Sequence, residues 1–156
     1  MSTTTSPTPR PTLYLNLPTT SLPTATTFFT SLGFTLVPAW TDSKSSALLL
    51  PEPNQSICLL VHTHERFNLC LRPNSAVVDA RTSTETIFSI MCDTKEDVDR
   101  WLEAAEKAGG KKDPYVLEEF GAGFGLYLRS WEDVDGHIWE TAAMLGKVWG
   151  WPEEGV

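Results

Sequence analysis

Basic charge, cysteine and long apolar runs are what this sequence has least of. Twelve Lys and Arg face twenty Asp and Glu, a formal net charge of −8. Nucleic acid and anionic membranes both demand a basic surface, so neither is an expected partner. The cysteines are only Cys58, Cys70 and Cys92, and no two fall in a CxxC. An odd set at these spacings suits reduced thiols in a cytoplasmic protein, not a disulfide frame or a zinc knuckle. No apolar run approaches the roughly 20 residues that cross a bilayer. The first residues lack the apolar stretch of a secretory signal, so export is not expected. Met1–Thr12 is Ser, Thr and Pro with a single Arg10. That composition cannot bury enough surface to order itself, and a flexible tail is expected over 1–12.

What remains is ordinary for a globular chain. Its 156 residues are 41% hydrophobic and 21% charged, enough for one domain over 13–156 with a real core. Leu13, Leu15 and Leu17 alternate with Tyr14 and Asn16, the pattern of a half-buried strand. Ser21 then caps a helix whose apolar face is Leu22, Ala25, Phe29 and Leu32, closed by Gly33. Strands are expected at Phe34–Trp40, Ser46–Leu50 and Ser56–His62, with Pro51-Glu52-Pro53-Asn54 turning between the last two. After a connector at Glu65–Glu85 the series starts again. Its length favours some helix or a lid. Thr86–Met91 reads as a strand, and Asp93 with Glu96 as a capping box. Val98, Trp101, Leu102 and Ala105 form the next stripe, and Gly109-Gly110 ends it. Strands follow near Val116–Phe120, Leu126–Trp131 and His137–Ala142. The pattern is βαβββ twice, in modules at about 13–64 and 86–144. A shift of 72 positions places Ser21 on Asp93, Asn16 on Phe88 and Phe29 on Trp101.

The stretch Asp133-Val134-Asp135-Gly136-His137-Ile138-Trp139-Glu140 is the richest in information. Asp-Gly marks a tight turn, because glycine tolerates the positive φ that such turns need. The second strand of this hairpin carries Glu140, four residues past the turn glycine. A carboxylate beside Ile138 and Ala142 is costly if buried alone. It is a cavity carboxylate acting as ligand, base or acceptor, or else a structural acceptor for backbone or a neighbouring Arg.

The opening Asn16-Leu17-Pro18, the Phe28-Phe29 and Leu32-Gly33-Phe34 of the first helix, and this closing motif together resemble the vicinal oxygen chelate superfamily. That superfamily includes glyoxalase I, the bleomycin-resistance proteins and the extradiol dioxygenases. The resemblance covers roughly Leu13–Met144. It implies an α+β, glyoxalase-like fold: two tandem βαβββ modules forming a cupped mixed sheet around one cavity, with helices outside. It also implies divalent-metal ligands on the first and last strands of each module. Carried over position by position, only Glu140 is a usual ligand. The other places fall on Tyr14, Thr86 and, within a residue or so, Leu59. The ordinary metal site is therefore not expected, and no cofactor is assigned, although a divalent metal held by Glu140 and His62 stays open. Homodimerisation is expected from the exposed sheet edges and from the resemblance.

Several residues carry two readings. His62 and His64 would share a strand face and can chelate, or they end a strand at a solvated loop. His137 is catalytic, or it bonds Asp133 or Asp135 and fixes the turn. Tyr14 and Asn16 face away from the helix, as ligand contacts or as a self-satisfied polar pair. Tyr127, Arg129 and Trp131 share a face. Arg129 could clamp an anionic group or pair with surface acids. Gly121-Ala122-Gly123-Phe124-Gly125 suits a turn or bulge at a rim, since it opens no helix. The expected cavity is lined by Tyr14, Asn16, Phe88 and Glu140, with Tyr127 and Arg129 as further ligand contacts. Two classes of function follow, beside a third in which a metal-free enzyme uses Glu140 as general base. One is metal-free binding of a small organic molecule. The other is a metal-dependent lyase, isomerase or dioxygenase using Glu140 as ligand or base.

Overall fold

A computed structural model describes residues 10–117 and 125–146. The chain divides into two compact units, Met1–Val77 and Val78–Val156. The first holds β1 (Leu13–Thr19), α1 (Leu22–Ser31), β2 (Thr35–Leu36), β3 (Ser45–Leu49) and β4 (Ile57–Thr63). A short α2 (His64–Phe67) opens the connector. The second holds β5 (Ile87–Cys92), α3 (Lys95–Lys107), β6 (Lys111–Lys112), β7 (Leu126–Glu132) and β8 (Ile138–Met144). Each unit is one four-stranded mixed sheet, ordered β1-β4-β3-β2 and β5-β8-β7-β6. In both, the first strand runs parallel to the last and the remaining pairs are antiparallel. The expected α+β architecture of two βαβββ modules is what the chain adopts.

The helices form for different reasons. Thr94, in extended backbone, caps α3: its hydroxyl accepts from the Asp97 N–H at 3.1 Å, and Asp97 accepts from the Thr94 N–H at 3.1 Å. This is a capping box one residue later than Asp93 and Glu96. Helix α1 has no acid in its first turn and no side-chain cap bond from Ser21. Its Thr26, Thr30 and Ser31 hydroxyls donate back to the carbonyls of Leu22, Thr26 and Thr27. Residues of this kind favour caps over helix interiors, so α1 depends on its packing. Ala25, Phe28 and Phe29 are buried, with Phe29 edge-on to Phe28 at 5.1 Å and against Phe34 at 5.0 Å. In the second unit Val98, Leu102 and Ala105 are fully buried. Trp101 stacks on Trp131 at 5.9 Å, and Trp131 on Trp139 at 5.1 Å.

The later cap changes the internal repeat. Leu22 and Lys95 begin the helices, 73 residues apart. The same shift superimposes buried Ala25 on Val98 and Phe29 on Leu102, and Leu17 on Ile90. Phe29 therefore corresponds to Leu102 instead of Trp101, and Asn16 to Ser89 instead of Phe88. One residue matters because strand side chains alternate, and a slip of one moves each to the other face.

Three expected elements differ. The strand over Phe34–Trp40 shrinks to β2, and Pro38–Trp40 forms a 3-10 turn. Pro38 lacks the N–H that a continuing ladder would use. The strand near Val116–Phe120 is not found at Val116 and Leu117, and 118–120 lie outside the described residues. The strand that follows α3 is β6, at Lys111–Lys112. His64 starts α2, so it does not share a strand face with His62.

Candidate functional site

Each sheet has one face against its long helix, α1 or α3, and one face turned away from that helix, called helix-free below, and alternation decides which residues occupy each. In the first unit β3 sends Ser46 to α1, where its hydroxyl meets that of Thr26 at 2.7 Å. Ser46 lies opposite Val61, which lies opposite Leu17, so these three share the α1 face. Tyr14 and Asn16 therefore point to the helix-free face, as the alternation predicts. Leu13, on the α1 side by parity, is half exposed at the sheet end. On the helix-free face Asn16 lies opposite Leu60, and Leu60 opposite Ala47. Tyr14 leans on Trp40 at 6.0 Å. Asn16 Oδ1 is 3.0 Å from His62 Nε2, and His62 Nδ1 is 2.7 Å from Ser45 Oγ.

In the second unit Ser89, Glu140 and Ser130 lie abreast on β5, β8 and β7, on the helix-free face. Glu140 accepts from Ser89 Oγ at 2.7 Å on one oxygen and from the Tyr115 hydroxyl on the other. Ser130 Oγ donates to the Tyr115 carbonyl at 2.6 Å and so fixes the segment that delivers the phenol. Burial and the neighbouring Glu140 hold the Tyr115 hydroxyl well above the ordinary phenol range, so it stays a donor. Ile87 and Met91, on the same face of β5 as Ser89, are about half exposed. The result is a carboxylate fixed by two hydroxyls on a largely apolar surface. An ionised carboxylate accepts about four hydrogen bonds, so capacity remains for a donor or cation on a ligand.

The other site candidates of this unit are on the opposite face. Phe88 packs on Trp139 at 4.7 Å, in the aromatic stack that reaches α3 through Trp131 and Trp101. Phe88 does not share a face with Glu140, and the shared lining expected from the 72-residue shift is corrected by the shift of 73. Tyr127 donates to Asp99 on α3 at 2.7 Å. Arg129 reaches Asp99 at 2.9 Å and grips Asp113 with two bonds, at 3.2 and 2.6 Å. Its fork is filled by acids of its own chain, and it too faces away from Glu140. The alternation that put Tyr127, Arg129 and Trp131 together holds. What differs is the side of the sheet.

The closing turn is built as its sequence suggests. Gly136 has φ of +91°. Buried Asp133 accepts from the N–H of Asp135 at 2.9 Å and of His137 at 3.0 Å, and from Trp139 Nε1 at 3.2 Å. His137 thus serves the turn through its backbone. Arg81, from the connector, donates to the Val134 carbonyl at 2.8 Å. Of the glycine-rich stretch, Gly121 to Phe124 lie outside the described residues.

The ladders also fix the places that the superfamily resemblance assigns to metal ligands. Ser89 opposite Glu140 corresponds to Asn16 opposite Leu60, so the counterpart of Glu140 is Leu60, one residue beyond Leu59. The counterpart of Tyr14 is Ile87, one beyond Thr86. Of these four places only Glu140 is a usual divalent-cation ligand, since a phenol and two aliphatic side chains are not. Among the described residues no three His, Cys, Asp or Glu side chains gather where an ion could be held. No helix of the described residues is long and apolar enough to cross a membrane. Tyr115, Ser89, Ser130 and Ser45 escaped the sequence reading. Ser89 was recoverable from Thr94-x-x-Asp97, which sets the 73-residue shift. Tyr115 lies in an irregular segment with no periodicity to place it.

Residues 12–141 match the family model described as the Glyoxalase/Bleomycin resistance protein/Dioxygenase superfamily, and the chain belongs to that superfamily. Solved structures share the fold. A glyoxalase/bleomycin resistance protein/dioxygenase family enzyme from Burkholderia phytofirmans PsJN is 20% identical, with a TM-score of 0.66 over 85% of this chain and 97% of that one. A glyoxalase/bleomycin resistance protein/dioxygenase from Nocardioides is 17% identical, with a TM-score of 0.65 over 93% and 91%. The genomically encoded fosfomycin resistance protein FosX of Listeria monocytogenes is 16% identical, with a TM-score of 0.54 over 92% and 91%. No curated protein matches the sequence.

Proposed function

We propose that this protein binds a small organic molecule at the helix-free face of its second module, with Glu140 as the polar anchor and without a divalent metal. One observation carries the reading: Glu140 is held by Ser89 and Tyr115 beside the exposed side chains of Ile87 and Met91. Such a surface suits a ligand with an apolar body and an N–H, O–H or cationic group set against the carboxylate. Tyr14 and Asn16 are the corresponding ligand-contact candidates of the first module. The three unpaired cysteines and the acidic composition support a cytoplasmic protein that binds neither nucleic acid nor membrane, and the sheet edges support a homodimer. The test is a fragment screen by ligand-observed NMR on wild type, Glu140→Gln and Ser89→Ala. Hits with a donor or cation should weaken at least tenfold in Glu140→Gln and less in Ser89→Ala. Equal binding to all three would remove Glu140 as the anchor.

A second reading is a metal-dependent lyase, isomerase or dioxygenase with Glu140 as ligand or base. It draws on the position of Glu140, where the resemblance places a ligand. Elemental analysis of protein purified without chelators separates the two. About one ion per chain, lost in Glu140→Ala, would favour the second.

A further inference from the structure

Ser45, His62 and Asn16 stand on the neighbouring strands β3, β4 and β1, all within the first unit. Ser45 lies directly opposite His62 in the ladder, and Asn16 is one diagonal step further. Their side chains form one chain of contacts, 2.7 Å from Ser45 Oγ to His62 Nδ1 and 3.0 Å from His62 Nε2 to Asn16 Oδ1. An amide oxygen only accepts, so His62 Nε2 carries the ring proton. Nδ1 then presents a lone pair, and the Ser45 hydroxyl donates to it. Burial is the main cause that holds the imidazole below its ordinary pKa. Arg66 adds to this, and Asp42 opposes it. The ring is therefore neutral and able to accept a proton. Asp42 also fixes the backbone at Ser45, accepting from the N–H of Ser45 at 2.9 Å and of Lys44 at 2.8 Å. The Phe67 ring lies 6.3 Å from that of His62. A hydroxyl on a neutral base, with the base oriented by a third group, is the arrangement that activates a serine.

We propose that Ser45 is a nucleophile, with His62 as its base and Asn16 as the group that orients the base, and that it takes the acyl group of a small activated ester. Ser45 Oγ bonds to the acyl carbon while its proton passes to His62 Nδ1. The bond from that carbon to the alcohol oxygen breaks, and the departing alcohol takes the proton from His62. Water then attacks the acyl-serine and gives a proton to Nδ1. The ester bond breaks, a carboxylic acid leaves, and the Ser45 oxygen recovers its proton. Ser45 keeps only 5% of its surface, which restricts the donor to slim groups such as acetyl. The inference is independent of the reading of Glu140, which lies in the other unit.

The probes are methanesulfonyl fluoride, followed by intact mass and peptide mapping, and p-nitrophenyl acetate for turnover. Wild type should gain one sulfonyl group, mapped to Ser45. Ser45→Ala should gain none there. His62→Gln should label on the order of 10²-fold more slowly, the usual scale of lost general-base help. Circular dichroism melts report whether each variant is folded. Ser45→Cys supplies a second route: iodoacetamide should alkylate the introduced thiol faster when His62 is present than in the Ser45→Cys/His62→Gln double variant. An adduct only at other residues of folded wild type, or equal rates with and without His62, would overturn the proposal.

Discussion

The two modules share a frame and differ in what they mount on it. On the helix-free face the first module carries Asn16, His62 and Ser45, with Leu60 and Ala47 between them. The second carries Ser89, Glu140 and Ser130, and in the places of His62 and Ser45 it has Ala142 and Leu128. The polar groups alternate: where one module is polar on β4 or β8, the other is aliphatic. Strand pairing thus duplicates positions without duplicating chemistry. The first module holds a neutral base next to a hydroxyl, and the second a carboxylate between two hydroxyls. The helices diverge likewise. Charged α3 is capped by a reciprocal box, and α1, without Asp, Glu, Lys or Arg, is held by packing.

If the helices are equivalent in packing, truncating corresponding core residues should cost similar amounts. Phe29→Ala should lose about 3–5 kcal/mol, and its counterpart Leu102→Ala about 2–5 kcal/mol, in denaturant melts. A loss below about 1 kcal/mol in either would break the 73-residue correspondence.

The turn glycines sharpen the contrast. Gly33 and Gly136 both have φ of +91°. A Cβ on Gly33 would meet nothing nearer than Pro51 Cγ at 3.6 Å, whereas one on Gly136 would come within 2.9 Å of the Arg81 backbone nitrogen. Gly33→Ala should cost about 1–2 kcal/mol from backbone conformation alone. Gly136→Ala should cost at least about 1 kcal/mol more, since backbone must move as well. Thermal melts of the two variants, side by side, decide this.

Capping gives a smaller effect. Thr94→Ala should cost about 1 kcal/mol. Ser21→Ala should cost less than half of that, because Ser21 makes no cap bond to the helix backbone and its hydroxyl meets that of Thr24, at 2.7 Å. Equal losses would mean that α1 is capped as α3 is.

The smallest expected effect is in pH. His62 has its pKa lowered in the folded state, so below its ordinary value the unfolded chain binds the extra proton. Its share of stability is present above about pH 6.5 and falls as the pH drops through the folded value. Wild type should therefore lose more stability than His62→Gln between pH 7 and 5, in urea titrations at each pH. An identical pH dependence would show that His62 is not desolvated.

Much of this could be read from residues in order. The strand alternation of Leu13–Leu17, the stripes of the two helices and the Asp135-Gly136 turn are local signals, and each became the element it suggests. The side of the sheet taken by Phe88 was lost to a one-residue error. Asp93-x-x-Glu96 and Thr94-x-x-Asp97 are both plausible caps, and only the second matches the packing of Val98 and Leu102. For Tyr127 and Arg129 the alternation was legible but the face was not. Nothing local tells a strand which of its sides will meet Asp99.

By itself the sequence determined the repeated βαβββ order, the superfamily and the place of Glu140 on the closing strand. These rest on periodicity and turn chemistry, which act over a few neighbouring residues. The tertiary structure alone decided the partners of the polar groups. Tyr115 reaches Glu140 across 25 residues, and His62 reaches Asn16 across 46. The contact of His62 depends on the register between strands distant in the chain, and that of Tyr115 on an irregular segment held to such a strand by Ser130. That register is set by the burial of a whole sheet face, which no short segment encodes.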